Sequence, residues 1–177
     1  ISEKYKYYII RIKLNERYFY CLWGPNNRNM DDQFLINKDN LIIKFRSIKD
    51  IRNNSKKIKK YNYQTYRFNK WLNELIKTKI KSNCTIDFDN IYKIFTGNFI
   101  PLNINSKFLN DYIIYINLFD DYAIQNNDNK MLSLGKRKNI RNLWLFTYDY
   151  YFWQVQGKEK IKTVKLISTK WDPIKFR

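Results

Sequence analysis

SKFLNDYIIYINLFDDYAIQ, Ser106 to Gln125, decides how the rest of the chain is read. Leu109, Tyr112, Ile113, Ile116, Phe119 and Ala123 recur at steps of three and four. That spacing predicts a helix of about five turns with one apolar stripe, and Ser106 stands where an N-cap belongs. Downstream, IRNLWLFTYDYYFW (Ile140–Trp153) repeats the pattern through Leu143, Trp144, Thr147, Tyr148, Tyr151 and Phe152. The segment between, QNNDNKMLSLGKRKN (Gln125–Asn139), reads as a polar, basic connector. Two amphipathic helices so joined predict an antiparallel pair.

Upstream of the spine the period changes. In KYKYYIIRIKL (Lys4–Leu14) Tyr8, Ile10 and Ile12 alternate with Ile9, Arg11 and Lys13, the signature of a strand with two distinct faces. Asn15-Glu16 is a hairpin turn returning into RYFYCLW (Arg17–Trp23), and GPNN (Gly24–Asn27) breaks the chain. FLI (Phe34–Ile36), NKDN and LIIKFR (Leu41–Arg46) predict a second hairpin. Ser47 caps a short helix, SIKDIRNN. Ser55–Arg67 is the most charged and least periodic stretch, a solvated linker or a basic loop. Phe68, Trp71, Leu72, Leu75 and Ile76 then share one helical face. TIDFDNIYKIF (Thr85–Phe95) predicts a short helix starting after Asp87 or Asp89 and stopped by Gly97.

The fold class expected is therefore α+β, a single domain over residues 1–177: 1–46 mainly β as an antiparallel sheet of hairpins, 47–153 mainly α, and 154–177 basic. Within the last segment Ile161–Ser168 alternates as a final strand that returns to the sheet or lies on the surface. No internal repeat is evident. The aromatic content, 18%, is enough to offset ordering entropy and build a core.

Charge bounds the function. Against 16 acids stand 34 lysines and arginines, a net +18, which concentrates polyanions or acidic protein surfaces. Abundant Asn, Ile, Lys and Tyr with only 4 glycines is the usage of an AT-rich coding sequence, which accounts for part of the lysine count. No apolar run reaches the ~18 residues of a membrane span, and no secretory leader is apparent. Cys21 and Cys84 fit thiols in a reducing compartment. A cytoplasmic protein is expected.

The chain has no histidine, which removes the usual base near neutral pH and the commonest transition-metal ligand. No Gly-rich phosphate loop or nucleophile elbow appears. The acidic pairs Asp87 with Asp89, Asp120 with Asp121 and Asp31 with Asp32 could hold a hard cation. Capping and surface roles explain them as well, so the expectation is no enzyme, no cofactor and no metal. Two basic clusters remain. Lys56, Lys57, Lys59 and Lys60 run directly into Tyr61, Tyr63 and Tyr66, and Lys136, Arg137, Lys138 and Arg141 stand at the entry to the last helix. Such residues can neutralise phosphates and stack bases, or steer an acidic protein, or simply face solvent. In YDYYFW, Tyr148, Tyr151 and Phe152 fall on the inner face and Tyr150 and Trp153 on the outer, where an aromatic can anchor an interface.

The order of a Tyr-rich hairpin, the FLI–LIIKF pair, TIDFDNIYKI, LNDYIIYINLFDDYA and LFTYDYYFW resembles bacterial immunity proteins of polymorphic-toxin and contact-dependent growth inhibition systems. The resemblance covers Tyr5 to Trp153, with NLFDDYA (Asn117–Ala123) its most distinctive part, and the Lys-rich tail after Gly157 departs from it. It implies a non-enzymatic inhibitor that binds a cognate toxin domain in the cytoplasm and covers or distorts its active site. With a net +18 the partner should expose an acidic face, so either the toxin is not a nuclease with a cationic cleft or binding lies away from that cleft. Partner-binding candidates are then Lys56, Lys57, Lys59, Lys60, Tyr61, Tyr63, Lys136, Arg137, Lys138, Arg141 and Trp153. The alternative class is a basic RNA-associated protein, a ribosomal component or accessory factor, using the same cations on phosphates.

Overall fold

A helix of one turn, α1 (Ser2–Tyr5), leads through Lys6 into the hairpin of β1 (Tyr8–Leu14) and β2 (Arg17–Pro25). Both turn residues, Asn15 and Glu16, take positive φ, 52° and 57°. That is the twist a two-residue antiparallel turn requires. The register runs from Tyr8 opposite Trp23 to Leu14 opposite Arg17, so the predicted two faces of β1 hold. The computed structural model describes residues 1–25, 31–61, 65–79, 81–82, 84–95 and 106–153. The expected final strand, Ile161–Ser168, lies outside them.

The architecture is α+β, with a four-stranded sheet formed largely by the N-terminal strands and helices after it. Two corrections apply to the sheet. It is mixed, with order β3-β2-β1-β4, because β4 (Cys84–Asp87) lies parallel to β1. A meander of hairpins supplies only antiparallel neighbours, and the far side of β1 is filled by a strand returning after a long crossover. The second hairpin is also thinner than expected. β3 (Asp32–Phe34) pairs with β2, but Leu41–Arg46 contributes only single bridges, Ile42 to Ile36 and Phe45 to Tyr20. Asn37 interrupts the ladder, its side-chain oxygen accepting from the Asp39 and Leu41 amides.

The contacts divide the described residues into two compact units, one up to Ile86 and one from Asp87 on. In the first, α2 (Ile48–Asn53) is capped as predicted, Ser47 Oγ accepting from the Asp50 amide at 3.1 Å. It is followed by α3 (Ser55–Ile58) and α4 (Tyr66–Lys77). The basic stretch after Ser55 is thus partly helical and not merely a loop: Ile58 is fully buried and Thr65 caps α4 through the Phe68 amide. Phe68, Trp71, Leu72 and Leu75 are buried as their spacing predicts, whereas Ile76 at the edge of the stripe is 42% exposed. Arg52 ties α2 to the end of α4, donating to the Leu75 and Thr78 carbonyls that the helix leaves unpaired.

Tyr7 is the centre of this core. Its ring meets Phe68 edge-on at 5.1 Å and Trp71 at 5.8 Å. Its hydroxyl donates to the Pro25 carbonyl and shares a hydrogen bond with Thr65 Oγ1. Gly24 must stay bare beside it: a Cβ there would stand 2.5 Å from Tyr7 Cδ1 and 2.7 Å from the Lys6 carbonyl oxygen.

Cys21 and Cys84 are both thiols, not bridged. They flank β1 on β2 and β4, so two strand spacings put their Cα atoms roughly 9–10 Å apart, beyond the reach of a disulfide. Burial, and then the neighbouring Cys84, push the Cys21 thiol well above its ordinary pKa. A thiol reagent at pH 8 is expected to modify half-buried Cys84 in the folded protein and Cys21 only after unfolding, as peptide mapping can check. Equal labelling of both in the folded state would contradict this packing.

In the second unit Asp87 caps α5 (Phe88–Phe95), accepting from the Asn90 amide at 3.0 Å. The spine is helix α6 (Ser106–Gln125). Leu109, Tyr112, Ile116, Phe119 and Ala123 are buried as predicted and Ile113 is half-buried. Tyr115, Leu118 and Tyr122, outside the predicted stripe, are buried too. The helix is covered on more than one side: Phe88 of α5 meets Tyr115 at 4.7 Å, and two later helices, α7 (Asn129–Gly135) and α8 (Lys138–Trp153), also pack on α6. α7 replaces the expected connector. Asp128 caps it through the Met131 amide, and Met131 and Leu134 are buried. Gly135 of α7 lies against Asp120 and Phe119, while the Tyr112 hydroxyl donates to the Ile140 carbonyl at the start of α8.

The carboxyl of Asp120 is half-buried in that packing, which raises its pKa, with Lys136 acting against the rise. The folded chain therefore holds this proton more tightly than the unfolded chain does. The resulting stabilisation is present below the ordinary carboxylate range and is lost as pH climbs through the raised pKa of Asp120. Asp120→Asn is expected to raise the thermal midpoint at neutral pH and to flatten its dependence on pH just above the ordinary carboxylate range. A variant less stable than the parent at neutral pH would show that the Lys136 attraction outweighs desolvation.

Candidate partner-binding face

The first basic cluster is built on the corner of α2, α3 and α4. Ile58, buried among Ile51, Phe68 and Leu72, anchors α3 and turns the flanking lysines outward. Lys56, Lys57 and Lys60 are exposed. Lys59 is half-buried and donates to Asn73 Oδ1 of α4 at 3.0 Å, so it braces the corner. Tyr61 is half-buried and packs against the core. Among the described residues Lys56, Lys57 and Lys60 form no ion pair. Tyr66, 75% exposed, carries the Lys70 ammonium over its ring at 4.5 Å.

Beside α3 lies a pocket of about 230 Å³ lined by Ile43, Lys44, Phe45, Asp50, Asn54, Lys57, Ile58 and Tyr61. Of these only Lys57 and Tyr61 are predicted site residues. Ile43, Phe45 and Ile58 are buried behind its surface. Lys44 is exposed, its ammonium 5.7 Å from the Phe19 ring. Both Asp50 oxygens are engaged, one by the Arg46 amide and one by the Asn54 side chain. Lys44, Asp50 and Asn54 escape a reading by charge runs, because each sits singly in a segment whose pattern already explains it as strand edge or helix.

The second cluster belongs to the other unit. Lys136, Arg137 and Arg141 are exposed around the start of α8, and the first turn of α8 holds no acid. Lys136 lies in the field of Asp120. The side chains of Lys138 and Trp153, and all of Tyr63, fall outside the described residues. The acidic pairs are placed as structural groups: Asp87 caps α5, Asp120 packs against α7, and Asp32 is half-buried on β3 with its pKa raised by burial and then by Asp31. Asp111, 4% exposed, accepts from Lys107 at 2.6 Å and from the Asp87 amide. Among the described residues no three His, Cys, Asp or Glu side chains gather as a metal site, and no helix is long and apolar enough to cross a membrane.

Among solved structures, the crystal structure of the SatS C-terminal domain in complex with bromine superposes on this chain with a TM-score of 0.62. The match covers 85% of this chain and 80% of that one at 11% identity, a likeness of fold. No family model matches the sequence, and neither does any curated protein.

Proposed function

We propose that this chain is a non-enzymatic immunity protein, which binds a cognate bacterial toxin domain stoichiometrically in the cytoplasm and holds it inactive without a cofactor. The observation that carries the reading is the display of Lys56, Lys57 and Lys60 from a corner where Lys59 and Ile58 are committed to holding α3 in place. Cations presented this way, on a chain of net +18, attract and orient an acidic protein surface. Arg137 and Arg141 support it. At the positive end of α8 each opposes the helix dipole at a cost of about 0.3–1 kcal/mol, and an acidic partner would offset that cost. The resemblance centred on Asn117–Ala123 names the class of partner.

RNA association draws on the same cations. Tyr61 speaks against it, since its ring packs on the core and is only half available for stacking. The test is co-expression with the toxin domain encoded beside the gene, with growth as the readout. Survival that needs this chain, together with a one-to-one complex on gel filtration, is the expected result. RNA binding that stays sub-micromolar between about 50 and 200 mM salt, with no rescue of growth, would overturn it.

A further inference from the structure

Resting on that reading, we infer that Arg11, laid against Tyr18 on the hairpin of β1 and β2, is the anchor for one carboxylate of the acidic partner. The register puts Arg11 opposite Tyr20 and Lys13 opposite Tyr18, so Arg11 and Tyr18 are diagonal neighbours on one face of the hairpin. The guanidinium carbon of Arg11 stands 3.9 Å from the centre of the Tyr18 ring, a contact that holds the group against the ring and restricts its rotamers. Tyr18 is itself 48% exposed, so the ring is a platform at the surface and not a piece of core. Arg11 is half-buried, yet among the described residues it makes no hydrogen bond and no ion pair. Its Nε is closed off from solvent without an acceptor. A guanidinium so enclosed is ordinarily satisfied by a carboxylate or by carbonyls, and here the Nη1–Nη2 end is left for a ligand. That end presents two parallel N–H donors, which a planar carboxylate accepts together.

The neighbours favour a single carboxylate over a nucleic-acid strand. The guanidinium already covers one face of the Tyr18 ring and takes that stacking surface from a base. Lys13, on the same face, is paired with Glu16 at 2.8 Å, and Glu16 is exposed. A row of phosphates would have to pass the Glu16 carboxylate, whereas one acidic side chain can reach Arg11 alone.

The probe is acetyl-Gly-Glu-Gly-amide, which carries one carboxylate, compared with its Gln analogue and with a uridine dodecamer. Each is titrated into the full chain at physiological salt, and NMR follows the Arg11 Nε–H and the Tyr20 amide, the latter present in every variant. The Glu peptide is expected to shift both signals saturably and the Gln peptide to leave them in place. Arg11→Lys keeps the charge but loses the fork, and is expected to raise the half-saturating concentration about fivefold or more. Tyr18→Leu keeps every charge but removes the platform, and should raise it about threefold. Arg17→Lys, at an exposed position of the same hairpin, should stay near the parent. Equal response to the Glu and Gln peptides, an unchanged titration in Arg11→Lys, or the uridine dodecamer displacing the Glu peptide from Arg11 would overturn the inference. The toxin domain is scored separately. Arg11→Lys is expected to speed its dissociation about tenfold, since cutting one partner of an enclosed charge pair acts on the off-rate. If dissociation is unchanged, the anchor assignment fails and the immunity reading stands. If the parent chain never holds the toxin domain, that reading fails while the peptide series still decides Arg11.

Discussion

Trp71→Ala is expected to destabilise the unit Ile1–Ile86 by about 3–5 kcal/mol, the range for deleting a large aromatic from a closed core. Trp71 is fully buried, stacks on Phe68 at 5.5 Å and lies 5.8 Å from Tyr7. Those neighbours cannot collapse into the space, because Thr65 and Pro25 hold the Tyr7 hydroxyl and Gly24 is already in contact with its ring. The cavity therefore stays open, and the loss falls at the upper end of the range. A domain of this size has about 5–15 kcal/mol in total, so the variant unit should be near the edge of unfolding. Urea titration followed by circular dichroism should show a midpoint lowered on the order of 2 M. Trp71→Phe separates two contributions. Among the described residues Trp71 Nε1 has no hydrogen-bond partner, so the Phe variant loses volume but also sheds an unsatisfied buried donor, and it should cost less than half as much. If Phe cost as much as Ala, the indole nitrogen would have to be bonded after all.

What could be read in the residues was whatever is local. The alternation of β1, the Asn15-Glu16 turn, the Ser47 cap and the start of α5 beyond Asp87 each depend on a few neighbours in sequence, and each is found. The spine was half legible. Its 3.6 period marked the face carrying Tyr112 and Phe119, but Tyr115, Leu118 and Tyr122 are buried because α5, α7 and α8 crowd the helix, and no pattern within the helix itself announces its neighbours. β4 was missed for the same reason. Four residues leading into a helix carry little propensity signal, and their strand geometry comes from the open side of β1. α7 hid inside a polar composition: two apolar side chains, Met131 and Leu134, and the cap from Asp128 suffice for two turns once α6 covers them. The candidate site divides along the same line. Lysines adjacent in sequence were visible, whereas the pocket that Lys57 lines is assembled from three separate segments.

Under the proposed immunity function, replacing Lys56, Lys57 and Lys60 together by Glu is expected to slow association with the cognate toxin domain on the order of 100-fold at low salt. All three are exposed, and Ile58 and Lys59, which hold α3 in place, are left intact, so circular dichroism and the thermal midpoint should stay close to the parent. The change removes three positive charges and adds three negative ones on α3 and just beyond its end, six units of charge on one small face. Steered association runs up to about 10⁸–10⁹ per molar per second against a neutral 10⁵–10⁶, so inverting the field on one of two basic clusters can remove about two of those decades. Stopped-flow rates measured against ionic strength separate steering from contact. Steering fades once the Debye length shrinks to about 8 Å, so parent and variant should converge as salt rises. A deficit that persists at high salt would instead assign these lysines to short-range contacts, with dissociation as the affected rate. An unchanged association rate at low salt would remove this corner from the interface and leave the Arg137–Arg141 end of α8 as the face to examine.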